Sequence, residues 1–466
     1  MSQENEASTH LYFMGICGTA MGSLAAAFRD AGYRVTGSDS QVYDPMKSFL
    51  EGRGIEILDG FRSENLTEDI DLVVIGNAQS RGNPEVEEVL RRKLRYASFP
   101  ELLREEILRG KRNFVVTGTH GKTTTASLLA WIFESAGKNP SFVIGGLPGN
   151  LEQGARFTDS DITVLEGDEY DSAFFDKRSK FVHYLPEVAI LNNLEFDHAD
   201  IFDDLKAIKR SFGHMVRLVP DNGLLLVNGD DANCVEVYEA EGAAPARMIG
   251  FGENCDARIE DVEYGTESCS FLIEGEHYEL PMVGEFNIRN AAMAITAARF
   301  GGVEPESIRT ALATFVGIKR RQEVRGVTER NITVIDDFGH HPTAIRQAIE
   351  GLRRKYPGAR MWALFEPRSN TTRRKVFQDA LPKALGEADA ICIAAVARAN
   401  LLGEDERLDT DLLMETLRAK GKPAYYEPDV DAIVSRLENE AEDGDVVVVF
   451  SNGGFGGIHD RLLEVL

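Results

Sequence analysis

The sequence predicts an α/β protein of three domains, each built on a mainly parallel sheet. The chain has 466 residues, which is long for a single hydrophobic core. Short apolar runs such as HLYFMGI, YRVTGSD and DLVVIGNA alternate with amphipathic segments almost throughout. Charged stretches near residues 110 and 325 suggest the two boundaries. We therefore expect domains over residues 1–109, 110–325 and 326–466, with a small antiparallel portion near residues 251–282 of the second.

Composition excludes several classes of function. The chain carries 76 Asp and Glu against 51 Lys and Arg, a net charge of −25, which disfavours general binding of nucleic acid or anionic membranes. Its five cysteines form no C-x-x-C pair, so we expect neither a disulfide framework nor a zinc site. No signal peptide and no apolar run of about 20 residues is visible. We expect a cytoplasmic monomer or weak homodimer that acts on small molecules.

The first domain opens on a glycine-rich turn, YFMGICGTAMGSL, at residues 12–24. A strand, a glycine-rich turn and a helix pattern in this order are typical of a Rossmann-like nucleotide site. The dinucleotide fingerprint requires G-x-G-x-x-G. Gly15 matches it, but Cys17 and Ala20 occupy the second and third glycine places. Asp39 ends the next predicted strand and can meet a ribose hydroxyl. We expect a nucleotide here, with a weak case for NAD.

The second domain opens on TGTHGKTTT at residues 117–125, between an apolar strand and a helix start. Backbone N–H groups there can cradle phosphates at the helix N-terminus. Lys122 can reach the β- and γ-phosphates of ATP, and the Thr123 hydroxyl can bind Mg²⁺. A turn without a ligand is the alternative, since Val116 stands where the standard loop has its first glycine. The predicted ATP contacts in this loop are Gly118, Thr119, His120, Gly121, Lys122, Thr123 and Thr124.

Two further strand ends in the second domain carry candidate metal ligands. The loop LEGDEYD crowds four carboxylates, of which Glu166 directly ends the strand and is well placed for Mg²⁺. The next strand ends in NNLEFDH, where His198 can bind metal or phosphate. A solvated acidic loop and a structural histidine are the alternatives.

Polar clusters follow later in the chain. Asn287 and Asn290 lie on one face of an alanine-rich helix start and can read an adenine edge or simply cap the helix. The stretch DDFGHHP groups two aspartates with two histidines, as an acid–base or metal cluster or as an N-cap. In FEPRSNT, Arg368 can clamp a carboxylate.

In this order, these motifs resemble the Mur ligase superfamily of ATP-dependent amide-bond ligases, over essentially the whole chain. The resemblance implies an N-terminal Rossmann-like UDP-sugar domain, a central P-loop ATPase and a C-terminal Rossmann-like domain that brings the amine. It implies catalytic roles for Lys122, Glu166, His198 and His341, and metal ligation by Thr123, Glu166 and His198. The remaining implied sites are Gly15, Cys17, Gly18, Thr19, Met21, Asp39 and Asn77 for the UDP-sugar, Asn287, Asn290, Arg321 and Asp337 for ATP, and Arg368 and Asn370 for the acceptor.

Several stretches narrow the resemblance to one branch. GICGTAMGSLA, FFDKRSKFVHY, EPRSNT and SNGGFGGIH are similar to the members that join L-alanyl-γ-D-glutamyl-meso-diaminopimelate to UDP-N-acetylmuramate, with ATP and Mg²⁺. The alternative branch adds L-alanine. One departure is Phe286, where many relatives have His. Rival classes are an NAD-dependent oxidoreductase, which would use the first loop, and a nucleotide-binding regulatory module without turnover.

Overall fold

The computed structural model describes residues 8–466, which divide into two compact units. The first unit holds the N-terminal sheet and the parallel central sheet. The second holds a small antiparallel sheet and the C-terminal sheet. The first unit comprises the chain up to Leu194, Lys206–Ala257 and Met293–Ala311; the second comprises Glu195–Leu205, Arg258–Ala292 and Leu312–Leu466.

The N-terminal sheet is five-stranded and wholly parallel, in the order β3-β2-β1-β4-β5. Its first strand is buried along its whole length, as expected for a parallel strand covered on both faces. The predicted Rossmann-like pattern is confirmed. The elements are β1 His10–Met14, α1 Thr19–Asp30, β2 Arg34–Asp39, α2 Met46–Glu51, β3 Glu56–Asp59, β4 Leu72–Ile75, α3 Pro84–Arg92, β5 Tyr96–Ser98 and α4 Phe99–Leu103.

The central sheet of the first unit runs β14-β13-β12-β6-β9-β7-β8 and is parallel except for its last strand. The strand that leads into the second glycine-rich turn lies inside this sheet, between two parallel neighbours. The elements are β6 Arg112–Thr117, α5 Lys122–Ser135, β7 Ser141–Val143, β8 Ala155–Arg156, β9 Ile162–Glu166, β10 Asp171–Ala173, β11 Asp176–Ser179, β12 Val188–Leu191, α6 Leu205–Val216, β13 Leu224–Asn228, α7 Ala232–Glu241 and β14 Ala246–Gly250. Strands β10 and β11 form a separate hairpin.

Aromatic contacts join the two sheets of the first unit. The rings of Phe28 and Phe157 lie 4.9 Å apart, and those of Tyr96 and Phe175 lie 5.0 Å apart. Edge-on aromatic pairs of this kind stabilise an interface beyond the apolar area that they bury. The N-terminal and central sheets therefore belong to one compact unit.

The second unit contains the predicted antiparallel portion and the C-terminal sheet. Strands β15 Ala257–Tyr264, β16 Cys269–Ile273 and β17 Glu276–Leu280 pair antiparallel. Helices α8 Glu285–Phe300 and α9 Pro305–Ala313 follow, and each carries residues of both units.

The C-terminal sheet has the order β18-β19-β23-β20-β21-β22 and is parallel except for β18. Hydrophobic clusters cover both of its faces, in agreement with a doubly wound α/β domain. The elements are β18 Glu323–Val327, β19 Thr333–Asp337, α10 Pro342–Lys355, β20 Met361–Phe365, α11 Leu381–Leu385, β21 Ala390–Ala394, α12 Thr410–Ala419, β22 Ala424–Glu427, α13 Val430–Glu440, β23 Val446–Phe450 and α14 Ile458–Val465. Over residues 8–466, no helix is long and apolar enough to cross a membrane.

Candidate active site

The second glycine-rich turn links β6 to α5 in a conformation that needs glycine. Gly118 has φ of +137° and Gly121, the residue before the helix, has φ of +79°. A Cβ atom on Gly118 would lie 3.0 Å from Cβ of Asn192 and 3.2 Å from the backbone of Asn193. The Asn193 side chain in turn accepts the N–H of His120 at 2.9 Å. The end of β12 therefore shapes this loop, with backbone N–H groups gathered at a helix N-terminus.

Lys122 is held by a carboxylate that the sequence did not single out. Its Nζ lies 2.8 and 3.1 Å from the two carboxylate oxygens of Glu169 and 2.6 Å from the Gly118 carbonyl. Burial alone would lower the pKa of Lys122, but Glu169 and Asp168 outweigh it and raise that pKa. The raised pKa favours the charged ammonium at this loop.

Thr123 and Glu166, two of the predicted metal ligands, lie together. The Thr123 hydroxyl donates to Oε1 of Glu166 at 2.9 Å, and the Gly145 N–H donates to Oε2 at 2.6 Å. They meet because β9 pairs with β6 in parallel, which brings the two strand ends to the same edge. A hydroxyl and a carboxylate are the hard oxygen donors that Mg²⁺ prefers. The third predicted ligand, His198, lies in the second unit.

The first glycine-rich turn begins where β1 ends. Gly15 has φ of +78°, and the Cys17 N–H donates to Asp39 at 2.9 Å. The second oxygen of Asp39 accepts the Gln41 N–H at 3.1 Å, so this carboxylate fixes the backbone of both loops. Burial and Asp39 raise the pKa of the Cys17 thiol to about 11, which keeps it neutral.

The seven residues predicted for the UDP-sugar lie at or after the carboxyl ends of three adjacent strands, β2, β1 and β4. Ligands of open α/β sheets bind at this edge. The seven are Gly15, Cys17, Gly18, Thr19, Met21, Asp39 and Asn77.

A buried carboxylate, Glu85, braces the same edge and was missed from the sequence. It accepts hydrogen bonds from Tyr12 at 2.9 Å, from Ser38 at 2.7 Å and from Asn65 at 2.6 Å. Its side chain is fully buried, so these donors replace the water that it loses. In the sequence, the motif NPE signals only a helix start, and the Asn83 side chain does accept the Glu85 N–H at 2.9 Å. The hydrogen bonds of the Glu85 side chain to distant strands leave no such local signal.

In the second unit, the DDFGHHP loop is paired with the LEFDH segment. His340 Nε2 lies 3.5 Å from Asp197, and His341 Nδ1 lies 3.1 Å from Glu195. Burial would raise the pKa of Asp197, but His340 and His198 hold it well below its usual range. His198 itself is nearly buried, with φ of +54°. The sequence showed the histidines as a cluster, but not that each would face a carboxylate.

Asp337 fixes the loops on either side of it. Its two carboxylate oxygens accept the Gly339 N–H at 2.7 Å and the Gln322 N–H at 2.9 Å. Burial raises the pKa of Asp337, and the nearby guanidinium of Arg321 offsets part of this. That guanidinium lies 5.1 Å from the ring centre of Phe338. Two predicted nucleotide contacts, Arg321 and Asp337, are thus neighbours.

Asn287 and Asn290 are buried on the first turns of α8. Asn287 Nδ2 donates to the Val283 carbonyl at 2.8 Å. In the part of the chain that the structure describes, Asn287 Oδ1 and Asn290 Nδ2 have no hydrogen-bond partner. One polar atom of each side chain, an acceptor on Asn287 and a donor on Asn290, is therefore left over for a ligand.

The predicted acceptor residues lie at the carboxyl edge of the C-terminal sheet. Arg368 Nη1 is 3.4 Å from Glu366, and a Cβ atom on Gly453 would lie 2.3 Å from its Nε, so the arginine packs against the SNGGFGG loop. Asn370 donates to Asp200 at 2.7 Å. The EPRSNT loop therefore reaches the segment that carries His198.

Comparisons with known proteins cover all three parts of the chain. Sequence models described as "Mur ligase family, catalytic domain", "Mur ligase middle domain" and "Mur ligase, glutamate ligase domain" match residues 10–111, 116–298 and 320–453. The chain is 44% identical over 460 residues, 98% of both chains, to the UDP-N-acetylmuramate–L-alanyl-γ-D-glutamyl-meso-2,6-diaminoheptandioate ligase of Escherichia coli K12.

Two further matches extend this result. A crystal structure of a murein peptide ligase from Psychrobacter arcticus is similar with a TM-score of 0.74 and 37% identity, covering 98% of both chains. The UDP-N-acetylmuramate–L-alanine ligase of Variovorax paradoxus is 32% identical over 476 residues, covering 98% of this chain and 95% of the relative. The identity is therefore higher to the peptide-adding relative than to the alanine-adding one.

Proposed function

Because the chain belongs to the Mur ligase family of ATP-dependent amide-bond ligases, we propose that it joins L-alanyl-γ-D-glutamyl-meso-diaminopimelate to UDP-N-acetylmuramate. The observation that carries this proposal is the 44% identity to the peptide-adding relative over 98% of both chains. The reaction would return a recovered murein peptide to peptidoglycan synthesis. The second candidate, addition of L-alanine, is supported by 32% identity to a relative of that name.

The proposed chemistry activates a carboxylate. A free carboxylate is a poor acyl donor, because oxide is a poor leaving group. Transfer of the γ-phosphoryl group of ATP to the muramyl carboxylate forms an acyl phosphate. The peptide amine then attacks the acyl carbon, and phosphate leaves as the amide forms. Catalysis of such steps depends on positioning and charge stabilisation.

In this scheme the first unit binds the phosphates and the UDP-sugar. Backbone N–H groups from Gly118 to Lys122 hold the phosphates of ATP, and the Lys122 ammonium offsets the charge of the transferred group. The short distance between Lys122 and Glu169 supports this assignment, since it keeps a charged ammonium at the loop. The N-terminal sheet edge holds the UDP portion of the muramyl substrate.

The end of β9 and the start of α5 together suit Mg²⁺. Thr123 and Glu166 offer hydroxyl and carboxylate oxygens within hydrogen-bond distance of each other, the type of donor that this ion takes. We propose both as its ligands, and we propose His198 of the second unit as a further metal ligand. Bound Mg²⁺ supplies positive charge to the phosphate oxygens.

The second unit supplies the remaining contacts in this proposal. Asn287 and Asn290 bind adenine through their free acceptor and donor, and Arg321 and Asp337 complete the nucleotide contacts. His341, Arg368 and Asn370 face the incoming peptide. Both ring nitrogens of His341 are engaged by neighbouring groups, so we assign it to positioning rather than to proton transfer.

An ADP-release assay tests the proposed function. Purified full-length protein is given ATP, Mg²⁺ and UDP-N-acetylmuramate with either the tripeptide or L-alanine, and the product is identified by mass. We expect turnover with the tripeptide and at least about tenfold lower kcat/KM with L-alanine. Preference for L-alanine would favour the second candidate. Turnover with neither amine would support a regulatory module.

We further propose that the enzyme works in the cytoplasm, as a monomer or weak homodimer. All five cysteines are free thiols, as expected in a reducing compartment. The proposed partners are small molecules only: UDP-N-acetylmuramate, ATP and the murein tripeptide. Sedimentation of the purified protein over a range of concentrations measures its oligomeric state.

A further inference from the structure

Arg373 is a buried arginine whose guanidinium is only partly paired. Its exposed fraction is 6%, and its Nη2 donates to Oδ1 of Asn370 at 2.6 Å. Among the residues that the structure describes, none accepts a hydrogen bond from its Nε or Nη1. A guanidinium stays charged at every physiological pH, and buried charges are ordinarily paired.

The charges around Arg373 do not neutralise it. Burial lowers its pKa, and Arg398 and Arg374 lower it further, while Asp200 acts in the opposite sense. Asp200 already accepts a hydrogen bond from Asn370 at 2.7 Å. Arg374 is paired with Glu406 at 3.2 Å. The surroundings of Arg373 therefore keep a net positive charge, which suits an anion as the partner of its Nε and Nη1.

Backbone contacts hold Arg373 close to the proposed site of reaction. Its N–H donates to the Ser369 carbonyl at 3.1 Å, and its carbonyl accepts the Leu408 N–H at 2.8 Å. The neighbouring Thr371 hydroxyl accepts the Ala199 N–H at 3.3 Å, next to His198. Arg373 is therefore anchored on both sides and linked to the segment that carries His198.

We propose that Arg373 binds a carboxylate of the incoming peptide, with the nearby Arg398 adding positive charge. This inference rests on the proposed function and names one contact within it. A guanidinium matches the planar, two-oxygen geometry of a carboxylate. Holding the peptide by an acid group leaves its amine free to attack the acyl phosphate. Arg373 thus selects acceptors and is distinct from Arg368, which packs against the SNGGFGG loop.

The test compares Arg373→Met with wild type in steady-state phosphate release by the full-length enzyme. We expect the KM for the tripeptide to rise by about tenfold or more, since a hydrogen bond to a charged group is lost. The KM values for ATP and UDP-N-acetylmuramate should stay unchanged. Lys375→Met is the matched control: it removes an exposed positive charge two residues away, and every KM should stay within about twofold.

Singly amidated tripeptides make the test decisive. Amidation of one carboxylate should raise the wild-type KM by the same factor as Arg373→Met, and the variant should lose nothing further with that peptide. If Arg373→Met raises the acceptor KM further with every amidated peptide, the two effects are independent and the proposal is overturned. A raised KM for ATP would overturn it as well. A variant that escapes inhibition by inorganic phosphate but keeps its acceptor KM would assign the pocket to phosphate and overturn it too.

Two further measurements keep the test informative if Arg373→Met does not fold or if the proposed function is wrong. If Arg373→Met fails to fold, Arg373→Lys keeps the charge and loses the planar fork, and it should show a smaller rise in acceptor KM with the same dependence on amidation. If wild type uses L-alanine and not the tripeptide, the proposed function fails. L-alanine and L-alaninamide then test Arg373 by the same comparison.

Discussion

At the scale of single residues, an ion pair in the first unit favours a charged Lys122 in the second glycine-rich turn before any ligand binds. Lys122 is mostly buried, and Glu169 is 3% exposed, so the two charges are stable there only as a pair. A ligand that displaces Glu169 must offer the Lys122 ammonium a comparable negative charge. The pair therefore favours multiply charged anions and disfavours neutral ligands at this loop.

Replacing Lys122 by Ala should abolish ligation while leaving UDP-sugar binding intact. The ammonium offsets charge on the transferred phosphoryl group, so kcat/KM for ATP should fall by at least about a hundredfold. ADP release measures turnover, and calorimetry measures binding of UDP-N-acetylmuramate. Lys177→Ala is the control, because Lys177 is exposed and pairs with Asp171 at the surface.

Because Lys122→Ala removes the ammonium that pairs with the buried carboxylate of Glu169, Lys122→Met combined with Glu169→Gln serves as a second variant. It removes both charges and should show the same loss of turnover. Equal loss of UDP-sugar affinity in either variant would contradict the division of ligands between the two glycine-rich loops.

At the scale of elements, glycine is required at position 118, where the β6–α5 turn approaches the end of β12. Gly118→Ala combines a positive φ with contacts of 3.0–3.2 Å to Asn192 and Asn193, so the loop must move. We expect ATP affinity to fall by about tenfold or more, since such strain costs about 1–3 kcal/mol. Titration with a non-hydrolysable ATP analogue measures this.

Gly137→Ala is the matched control for the loop. Gly137 also has a positive φ, of +71°, but a Cβ atom there would meet nothing within 4 Å. The substitution should destabilise the fold by about 1 kcal/mol and leave ATP affinity unchanged. Equal effects of the two variants on affinity would show that the loop tolerates a side chain.

The β10–β11 hairpin gives a pH dependence at the same scale. Burial would raise the pKa of Asp176, but Arg178 and His183 hold it at about 2. The folded-state pKa lies below the unfolded value of 3.8, so this stabilisation is complete above pH 3.8 and is lost as the pH falls through about 2.

Asp176→Asn should therefore lower the free energy of unfolding by about 2 kcal/mol at pH 6, and the difference from wild type should shrink towards pH 2. Urea unfolding of both proteins across this range measures it. A difference that does not change with pH would show that the hairpin draws no stability from this charge.

At the scale of the whole molecule, two glycine-rich loops on two different sheets serve an acidic protein with anionic substrates. With a net charge of −25, the overall field repels nucleotides, so binding depends on local helix N-termini and cations. Each loop offers its own helix start, α1 for the first and α5 for the second. This layout predicts two separate nucleotide sites.

Ligand stabilisation tests that layout. UDP-N-acetylmuramate and Mg²⁺-ATP, each at about a hundred times its Kd, should each add about 2.7 kcal/mol to the stability of the protein, and together their effects should add. Thermal unfolding measures this, and Lys122→Ala should lose only the ATP effect. Stabilisation by NAD in place of the UDP-sugar would revive the oxidoreductase hypothesis.

The sequence by itself determined the alternation of strands and helices, the two glycine-rich turns, and the polar residues at strand ends. These are local patterns, because hydrophobic periodicity, turn residues and helix starts each depend on a few neighbouring residues. Lys122, Thr123 and Glu166 were predicted for this reason, and Thr123 and Glu166 do meet. The assignment of the site residues to their ligands stays a prediction.

Only the tertiary structure decided which distant groups pair. The partners come from distant segments: Glu169 pairs with Lys122, Glu85 with Tyr12, and a carboxylate faces each of His340 and His341. These segments are up to about 150 residues apart, and no local pattern signals such pairs. Arg373 also could not be singled out from the sequence, in its case because atoms without a partner leave no local pattern. In the sequence it is one arginine among several, and only its burial, with Nε and Nη1 unpaired among the described residues, points to an anion.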